Sequence, residues 1–354
     1  MRISGSPGRS RATQTDIARR AGVSQATVSL VLNGRTEEAR ISEETRNRVL
    51  AAIKEVQYVA NVAARSLAGA HNRILGVHTF ESVFPTDSHD FYFPFLMGIE
   101  QQAEELGLDL LLFTSAGGSR QMYRDGVTRL RLADGALLLG RNPNLAEIEK
   151  LRDEGFCFVY IGHHEVEGAP ISYVAADYTS ATATLARRAV DVGHRRFAYV
   201  RQDDRGAQPS RDREAGYRDA MRSAGIAASA SPIWDIGSGE EAGELVDEAR
   251  RSSITVLLVE QTALAAQLRF AAQDQGLVVP DDLSVIVLGD DIGSRDRSVE
   301  WTRLSVPGHE MGVAATRLLV ELLDTDDATA RQLSVPCVIE GGRTLIAPAR
   351  GAEQ

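Results

Sequence analysis

One segment near the N-terminus constrains the fold of this chain more than any other. It reads TQTDIARRAGVSQATVSLVLNG and spans residues 13–34. Thr13 can cap a first helix, and Asp16, three positions later, completes a capping-box pattern. Gly22 permits a tight turn, and Ser24 is a good cap for a second helix. The spacing predicts two short helices joined by a turn, as in a helix-turn-helix.

The second predicted helix starts with a small, uncharged outer surface. Gln25, Ala26 and Thr27 form this start, and a recognition helix places its first turn against base edges in the major groove. An ordinary αα-hairpin is the alternative, but it needs neither alanine-rich helix contacts nor a compact uncharged turn. The segment therefore predicts sequence-specific DNA binding. The apolar inner positions are Ile17, Ala18, Ala21, Val28, Val31 and Leu32.

The charge is distributed unevenly along the chain. Residues 1–70 hold 11 Lys/Arg and 6 Asp/Glu, a net +5, whereas residues 71–354 hold 28 and 43, a net −15. A basic head on an acidic body confines attraction for DNA phosphates to one end. A merely solvated arginine-rich face would explain the charge but not the helix pair. The Ser/Gly/Pro-rich residues 1–12 are predicted to be a disordered leader, whose Arg9 and Arg11 could follow the DNA backbone.

A third amphipathic helix comes next, and it completes a small domain. Ser42 caps the segment SEETRNRVLAAIKEV, whose apolar positions can close a three-helix core over residues 13–58. The next segment, residues 59–72, carries an apolar stripe and contains Gly69, which would end any helix there. It is too short to form a stable helix alone. The apolar positions are Val49, Ala52, Ile53 and Val56 in the helix, then Val59, Val62 and Leu67.

From Ile74 onward, short apolar runs alternate with amphipathic helical stretches in two successive sets. This alternation predicts parallel α/β sheets. About 280 residues suit two lobes better than one core. Ligands of such folds bind in a cleft beyond the strand ends.

The chain resembles the LacI/GalR family of bacterial transcriptional regulators along nearly its whole length, most clearly in the segments IARRAGVSQATVSLVLNG and SEETRNRVLAAIKEVQYVANVAARSLAG. The resemblance implies an all-α helix-turn-helix head and an α/β effector domain over residues 73–350. That domain would have the two-lobed type I periplasmic-binding-protein fold, with three crossings between the lobes. The implied lobes are residues 73–192 with 306–330, and residues 193–305 with 331–350.

The resemblance also implies a hinge helix within residues 59–72. In the family, the segment matching residues 61–68 folds on the operator, pairs with its dimer mate and enters the minor groove. Leu67 matches a leucine wedge that kinks DNA, although a core leucine of a short helix is the alternative. Ala60 departs from the family, which has proline there. A two-fold dimer then implies a near-palindromic operator.

Contacts in the major groove are implied by the same resemblance. Gln25 could pair with adenine, Ala26 could touch a thymine methyl, and Leu30 can make only apolar contact. Thr27 is a candidate for either base or backbone contact. Contacts with the DNA backbone are expected from Thr15, Ser24 and Asn33. The loop GRTEEARI is longer and more acidic than in the family.

Candidate effector-binding residues are also carried over from the family. Asp177 matches a residue that contacts ligand hydroxyls, Arg213 matches one that anchors the effector, and Asp290 matches one that closes the site. Together they suit a polyhydroxylated ligand. Asp177 and Asp290 could equally cap helices. The aromatic side chains of Trp234, and of Phe91, Tyr92 and Phe93, could stack on a sugar, although Trp234 could equally belong to the core.

Two departures weaken the transfer of ligand identity. Gln261, itself a candidate effector-binding residue, and Thr262 replace an Asn-Asp pair directly after Glu260. The segment Phe80–Phe95 is longer than in the family. A metal site at His78, Asp87, His89 and Asp90 lacks a tight ligand spacing, so we expect neither a metal nor another cofactor. His163 and His164 are predicted to lie in a surface loop.

Several functional classes lack support in the sequence. It contains no P-loop, no G-x-S-x-G, no H-E-x-x-H and no C-x-x-C, so we do not expect an enzyme. Cys157 and Cys337 lie in apolar runs and are predicted to be buried free thiols. With neither a signal region nor a membrane span, the expected location is the cytoplasm.

The sequence thus predicts a DNA-binding regulator, expected to act as a repressor and homodimer. A small-molecule effector, expected to be a sugar or sugar derivative, would shift operator affinity by rearranging the lobes. A nucleobase or protein effector is one alternative. A sugar-binding module with a vestigial DNA-binding head is another. The effector, the operator sequence, the sign of its effect and any pairing of dimers remain open.

Overall fold

The chain folds as two compact units, Met1–Asn72 and Arg73–Gln354, in a computed structural model. The structure describes residues 13–32, 40–56, 72–80, 89–114, 120–164, 166–202, 207–236, 242–290, 299–325 and 329–349, without the side chains of His89 and Asp90. The predicted leader (1–12), Asn33, most of the acidic loop, and residues 57–71 with Ala60 and the Leu67 wedge lie outside the described residues.

The described residues of the first unit form three helices: α1 (Gln14–Ala21), α2 (Gln25–Leu32) and α3 (Glu43–Glu55). Thr13 and Asp16 form the predicted capping box at the start of α1, and Gly22 ends this helix in the left-handed conformation. Ile17, Val28 and Val49 are fully buried between the three helices. The predicted helical core is therefore present.

The second unit contains two six-stranded sheets. In the first sheet every strand is parallel to its neighbours, in the order β13-β7-β6-β5-β1-β2. Its strands are β1 (Ile74–Thr79), β2 (Asp109–Phe113), β5 (Gly135–Leu139), β6 (Phe158–Ile161), β7 (Tyr173–Asp177) and β13 (Gln332–Pro336). A short hairpin, β3 (Tyr123–Arg124) and β4 (Val127–Thr128), lies between β2 and β5 in the chain.

The second sheet has the order β14-β12-β11-β10-β8-β9. Its strands are parallel except for β14, which runs antiparallel to β12. The strands are β8 (Phe197–Gln202), β9 (Ile233–Ile236), β10 (Val256–Val259), β11 (Ser284–Val287), β12 (Thr302–Ser305) and β14 (Val338–Glu340).

Helices cover both sheets, and one buried hydrophobic cluster extends through both lobes. The helices are α4 (His89–Glu105), α5 (Leu145–Asp153), α6 (Tyr178–Asp191), α7 (Gln208–Ser223), α8 (Ala242–Arg251), α9 (Thr262–Asp274) and α10 (Gly308–Leu323). Together with the helical first unit, this confirms the predicted fold class. None of the helices in the described ranges is long and apolar enough to span a bilayer.

The chain crosses between the two sheets three times, but two crossings differ from the predicted lobe boundaries. The first crossing comes after β7 at Asp177, not residue 192, because α6 packs mainly against α7 and second-lobe strands. The third comes after β13 at Cys337, not residue 330, because β13 pairs with β7 of the first sheet. The second lies at Val306–Pro307, where it was predicted.

A close approach of α4 and α10 allows one direct test of the packing. An added Cβ at Gly98 would overlap the carbonyl oxygen of His309. We expect Gly98→Ala to lower the free energy of unfolding by about 1–3 kcal/mol, because two backbones must separate. Urea denaturation of the full chain measures this change. The control is Gly341→Ala, where an added Cβ meets nothing within 4 Å. Equal stability of the two variants would contradict the packing.

A buried histidine predicts a pH dependence of stability. His78 on β1 is only 1% exposed. Burial lowers the pKa of His78 to about 4, since it outweighs a hydrogen bond with the Arg120 backbone and is aided by the positive charges of Arg129 and Arg120. The folded state therefore keeps this ring neutral, while the unfolded chain takes up a proton as the pH falls below about 6.5.

This difference should destabilise the protein between pH 7 and pH 5 by about 2 kcal/mol through His78 alone. In His78→Leu, an apolar side chain replaces the ring, so the variant should lose about 2 kcal/mol less than the parent protein over this range. Urea denaturation at both pH values measures the difference. An identical pH dependence in the variant would contradict the effect of burial.

Candidate recognition helix and effector cleft

The start of α2 is rigidly built and partly open to solvent. Ser24 precedes the helix, and its hydroxyl accepts a hydrogen bond of 3.1 Å from the backbone nitrogen of Thr27. The Ser24 and Thr27 hydroxyls are also 2.9 Å apart and hydrogen-bonded. Gln25 and Ala26 are exposed, whereas Val28 is buried. This arrangement presents an amide and a methyl group on a fixed first turn.

The other residues predicted to contact DNA are placed less uniformly. Thr15 is exposed on α1, and Leu30 is half-buried on α2. Because Ser24 and Thr27 use their hydroxyl groups within the helix cap, a DNA contact would have to share those groups. Asn33 lies outside the described residues.

A cavity lies between the two lobes, at the carboxyl ends of β5, β6 and β7 and beside the first turn of α7. It measures about 60 Å³. Its aromatic lining is Phe91, Tyr92, Phe95, Tyr160 and Tyr178, and its polar lining includes Arg141, His163, His164 and Asp212. The position agrees with the general rule that ligands of open α/β sheets bind beyond the strand ends.

The predicted aromatic residues of α4 divide between the cavity and solvent. The rings of Phe91 and Tyr92 line the cavity and pack edge to face, with centroids 5.0 Å apart. Phe93 is 60% exposed and is not part of the lining. Trp234 does not line the cavity either, because it packs against the core under α8 and α9. For Trp234 the structure matches the alternative core interpretation.

Arg213 lies against Tyr178, at the first crossing between the lobes. Its Cζ is 4.0 Å from the centroid of the Tyr178 ring, and its Nε is buried without a hydrogen-bond partner among the described residues. Burial opposes the charge of this guanidinium, but the facing Tyr178 hydroxyl and Glu260 carboxylate outweigh that cost and raise the pKa of Arg213. Arg213 is therefore a charged donor with unused hydrogen-bonding capacity.

The carboxylates near Arg213 accept hydrogen bonds from the protein itself. Glu260 is buried and accepts bonds from the hydroxyls of Tyr199 and of Ser210, the latter at 2.6 Å. Asp290 accepts a hydrogen bond of 2.6 Å from the Ser305 hydroxyl and one of 3.1 Å from the backbone nitrogen of Val306. Burial raises the pKa of Asp290 despite these bonds. These contacts hold the second crossing against the end of β11.

Asp177 and Gln261 each lie directly before the first residue of a helix. Asp177 accepts a 2.9 Å hydrogen bond from the backbone nitrogen of Ser180 and caps α6, as the alternative interpretation predicted. Gln261 precedes α9 without a side-chain capping bond, and its Oε1 is buried without a partner among the described residues. Gln261 is therefore the better placed of the two to donate or accept a ligand hydrogen bond.

A contact between the lobes involves residues that sequence reasoning missed. The Nδ1 atom of His163, just after β6, is 3.5 Å from Oδ2 of Asp212 on α7. Asp212 also accepts a hydrogen bond of 2.9 Å from the side-chain amide of Gln208. His163 and His164 do lie in an irregular, partly exposed segment after β6, but both also line the cavity, which the sequence analysis did not predict. The available signal was their position directly after the buried strand FVYI and Gly162.

The remaining candidate groups are a metal site and the cysteines. Among the residues whose side chains are described, no three His, Cys, Asp or Glu residues are close enough to hold a metal ion. Asp87, His89 and Asp90 lie outside that set. Cys157 and Cys337 are free and half-buried, and burial raises the pKa values of their thiols to about 11 and about 12.

Two family models match the chain. Residues 13–61 match "Bacterial regulatory proteins, lacI family", and residues 186–344 match "Periplasmic binding protein-like domain". The HTH-type transcriptional regulator AscG of Escherichia coli (strain K12) is 28% identical over 346 residues, covering 96% of this chain and 99% of AscG. DegA of Bacillus subtilis (strain 168), also an HTH-type transcriptional regulator, is 28% identical over 316 residues, which cover 87% of this chain and 90% of DegA.

Solved structures show the same fold. The lac repressor dimer bound to operator and the anti-inducer ONPF superimposes with a TM-score of 0.67 at 21% identity, covering 96% of this chain and 100% of the other. The complex of the transcriptional regulator CelR with cellobiose superimposes with a TM-score of 0.61 at 24% identity, covering 94% of this chain and 100% of CelR. The predicted family and fold are confirmed. With a lacI-type head and a periplasmic-binding-protein-like domain, the chain belongs to the LacI family of bacterial transcriptional regulators.

Proposed function

We propose that this protein is a repressor that binds a near-palindromic operator as a homodimer and responds to a sugar or sugar derivative in the cleft between its lobes. The observation that carries the proposal is the first turn of α2, which presents Gln25 and Ala26 to solvent on a capped helix. A side-chain amide can pair with adenine and a methyl group can contact thymine in the major groove.

The charge of the chain supports DNA binding by the head. Residues 1–70 carry a net charge of +5 and the remainder carries −15, so phosphate attraction is confined to the DNA-binding end. In this proposal Thr15 and Asn33 contact the DNA backbone and so orient the head on the duplex. Leu67 enters the minor groove between the two protomers. The kink costs about a few kcal/mol, which the contacts of the bent DNA offset.

An apolar surface on the first lobe supports a dimer. Phe93 and Met97, one turn apart on α4, are 60% and 42% exposed. On the edge strand β2, which contacts α4, Leu110 and Leu112 are 39% and 37% exposed. Exposed large apolar side chains on two neighbouring elements support an interaction site there. We assign it to a second copy of this chain, because two half-sites require two heads related by a two-fold axis.

The cleft supports control by a small molecule. Arg213 has a buried, unpartnered Nε and Gln261 a buried, unpartnered Oε1 among the described residues, and both can bond sugar hydroxyls. Relatives of this chain include the sucrose operon repressor of Klebsiella pneumoniae, 32% identical over 227 residues. A ligand that bridges the lobes favours their closed arrangement and so shifts the population of operator-binding dimers.

Fluorescence anisotropy of the full chain on duplexes tiling its upstream DNA tests operator binding. We expect tight binding to a near-palindromic site, and Gln25→Ala should weaken it by about 1–3 kcal/mol while relaxing preference at one base pair per half-site. The control is Gln273→Ala, the same substitution at an exposed position of α9. Equal affinities of the two variants would contradict the assignment of Gln25.

The same titration with a sugar panel tests effector control. Sugars that weaken binding identify an inducer, and sugars that strengthen it identify a corepressor. If no sugar alters specific binding but a nucleobase or a protein partner does, that effector would replace the sugar in this proposal. Binding to every duplex alike, or to none, would contradict a specific operator upstream of the gene.

The proposed dimer surface predicts a charge-sensitive association. Phe93→Lys places a charge in the centre of the apolar surface and should raise the dimer dissociation constant at least tenfold, about 1.4 kcal/mol. Sedimentation equilibrium of the full chain measures this constant. Phe270→Lys is the control, since Phe270 is 50% exposed on α9 of the other lobe. Dissociation by the control variant alone would move the interface to the second lobe.

A further inference from the structure

We propose that the cavity between the lobes is a subsite for an aryl group, so that the effector is an aryl glycoside and not a bare sugar. The inference rests on the proposed effector site and specifies its ligand. The cavity of about 60 Å³ has room for roughly four to six water molecules, which is about the size of one six-membered ring.

The lining is suited to a flat apolar ring. Phe91, Tyr92 and Phe95 form one wall, with ring centroids between 5.0 and 6.4 Å apart. The side chains of Ala175 and Met311 add further apolar surface. An aromatic ligand gains from burial and from edge-to-face contacts with such rings.

Several polar groups in this cavity are already used by the protein. The Tyr160 hydroxyl donates to the carbonyl oxygen of Gly140, and His163 pairs with Asp212. His164 packs its ring against Tyr160 at 4.9 Å, and burial lowers its pKa to about 4, which keeps it neutral. A nucleobase would leave several of its edge groups without partners here, which is costly. A hydrocarbon ring leaves none.

Tyr178 lies between this apolar cavity and the guanidinium of Arg213. Its ring lines the cavity and also contacts the guanidinium of Arg213 at 4.0 Å. Asp290 and Arg213 both act electrostatically on the Tyr178 hydroxyl. A ligand spanning Tyr178 therefore meets donors and acceptors at one end and aromatic rings at the other. A glycoside places its polar sugar and its apolar aglycone in that order.

The first experiment uses phenol as the probe for the cavity. Saturation-transfer NMR on the full chain should detect phenol, and Ala175→Leu should abolish the signal because the larger side chain fills the cavity. Ala146→Leu, the same substitution at an exposed position of α5, should retain it. Phe91→Leu, which removes one ring of the lining, should weaken the signal and serves as a second variant if Ala175→Leu does not fold. No phenol signal, or equal signals in all variants, would overturn the inference.

The second experiment compares matched glycosides by calorimetry. Phenyl and methyl β-D-glucopyranoside, galactopyranoside and xylopyranoside form the panel, and for at least one sugar the phenyl member should bind at least tenfold more tightly. Ala175→Leu should bring that ratio close to one. Equal binding of phenyl and methyl members, binding by neither, or tighter binding of inosine than of any phenyl glycoside would each refute the aryl subsite.

Operator binding without ligand is measured separately by anisotropy. Specific operator binding together with a phenyl-to-methyl ratio near one leaves the proposed repressor standing and removes only the aryl subsite. A tenfold ratio without any specific operator supports the aryl subsite and removes the proposed repressor.

Discussion

The arrangement of the effector domain depends on a buried polar cluster where the chain passes between its lobes. Tyr178 marks the first crossing, Val306 lies just beyond the second sheet at the second, and Cys337 forms the third. Asp290 binds the backbone nitrogen of Val306 at 3.1 Å, and Arg213 lies against Tyr178. Arg213 also faces Cys337 electrostatically. Any change in the angle between the lobes must therefore act on these contacts.

Two arginines of the second lobe differ in how their charge is paired. Arg201 on β8 is bonded at 2.6 Å to Asp235 and at 2.7 Å to Glu214, so its charge is directly paired. Arg213 has no such ion pair among the described residues, although Glu260 faces it. A buried charge without a direct partner is costly unless a ligand supplies one. Arg201 thus stabilises one lobe, whereas Arg213 is the residue that our proposal assigns to effector binding.

Local patterns predicted the head and the sheets well, because they depend on neighbouring residues. Thr13 and Asp16 cap α1 as expected, and buried apolar runs such as GALLL became central parallel strands. Lobe membership depends on contacts between distant segments. Only tertiary packing shows that α6 lies against α7, and that β13 pairs with β7. No local feature separates such elements from their alternatives.

The effector site was predicted in part for the same reason. Phe91 and Tyr92 do line the cavity, whereas Asp177 caps a helix and Trp234 packs into the core. A carboxylate before a helix fits capping and ligand binding equally well, so sequence cannot separate the two roles. Conversely, the His163–Asp212 contact joins segments 49 positions apart, and no spacing rule links them. A ligand shifts a conformational equilibrium only by its difference in affinity for the two states. A ligand that touched one lobe alone would have equal affinity for open and closed arrangements. The cavity takes His163 from one lobe and Asp212 from the other, and this is why our proposal places the effector there.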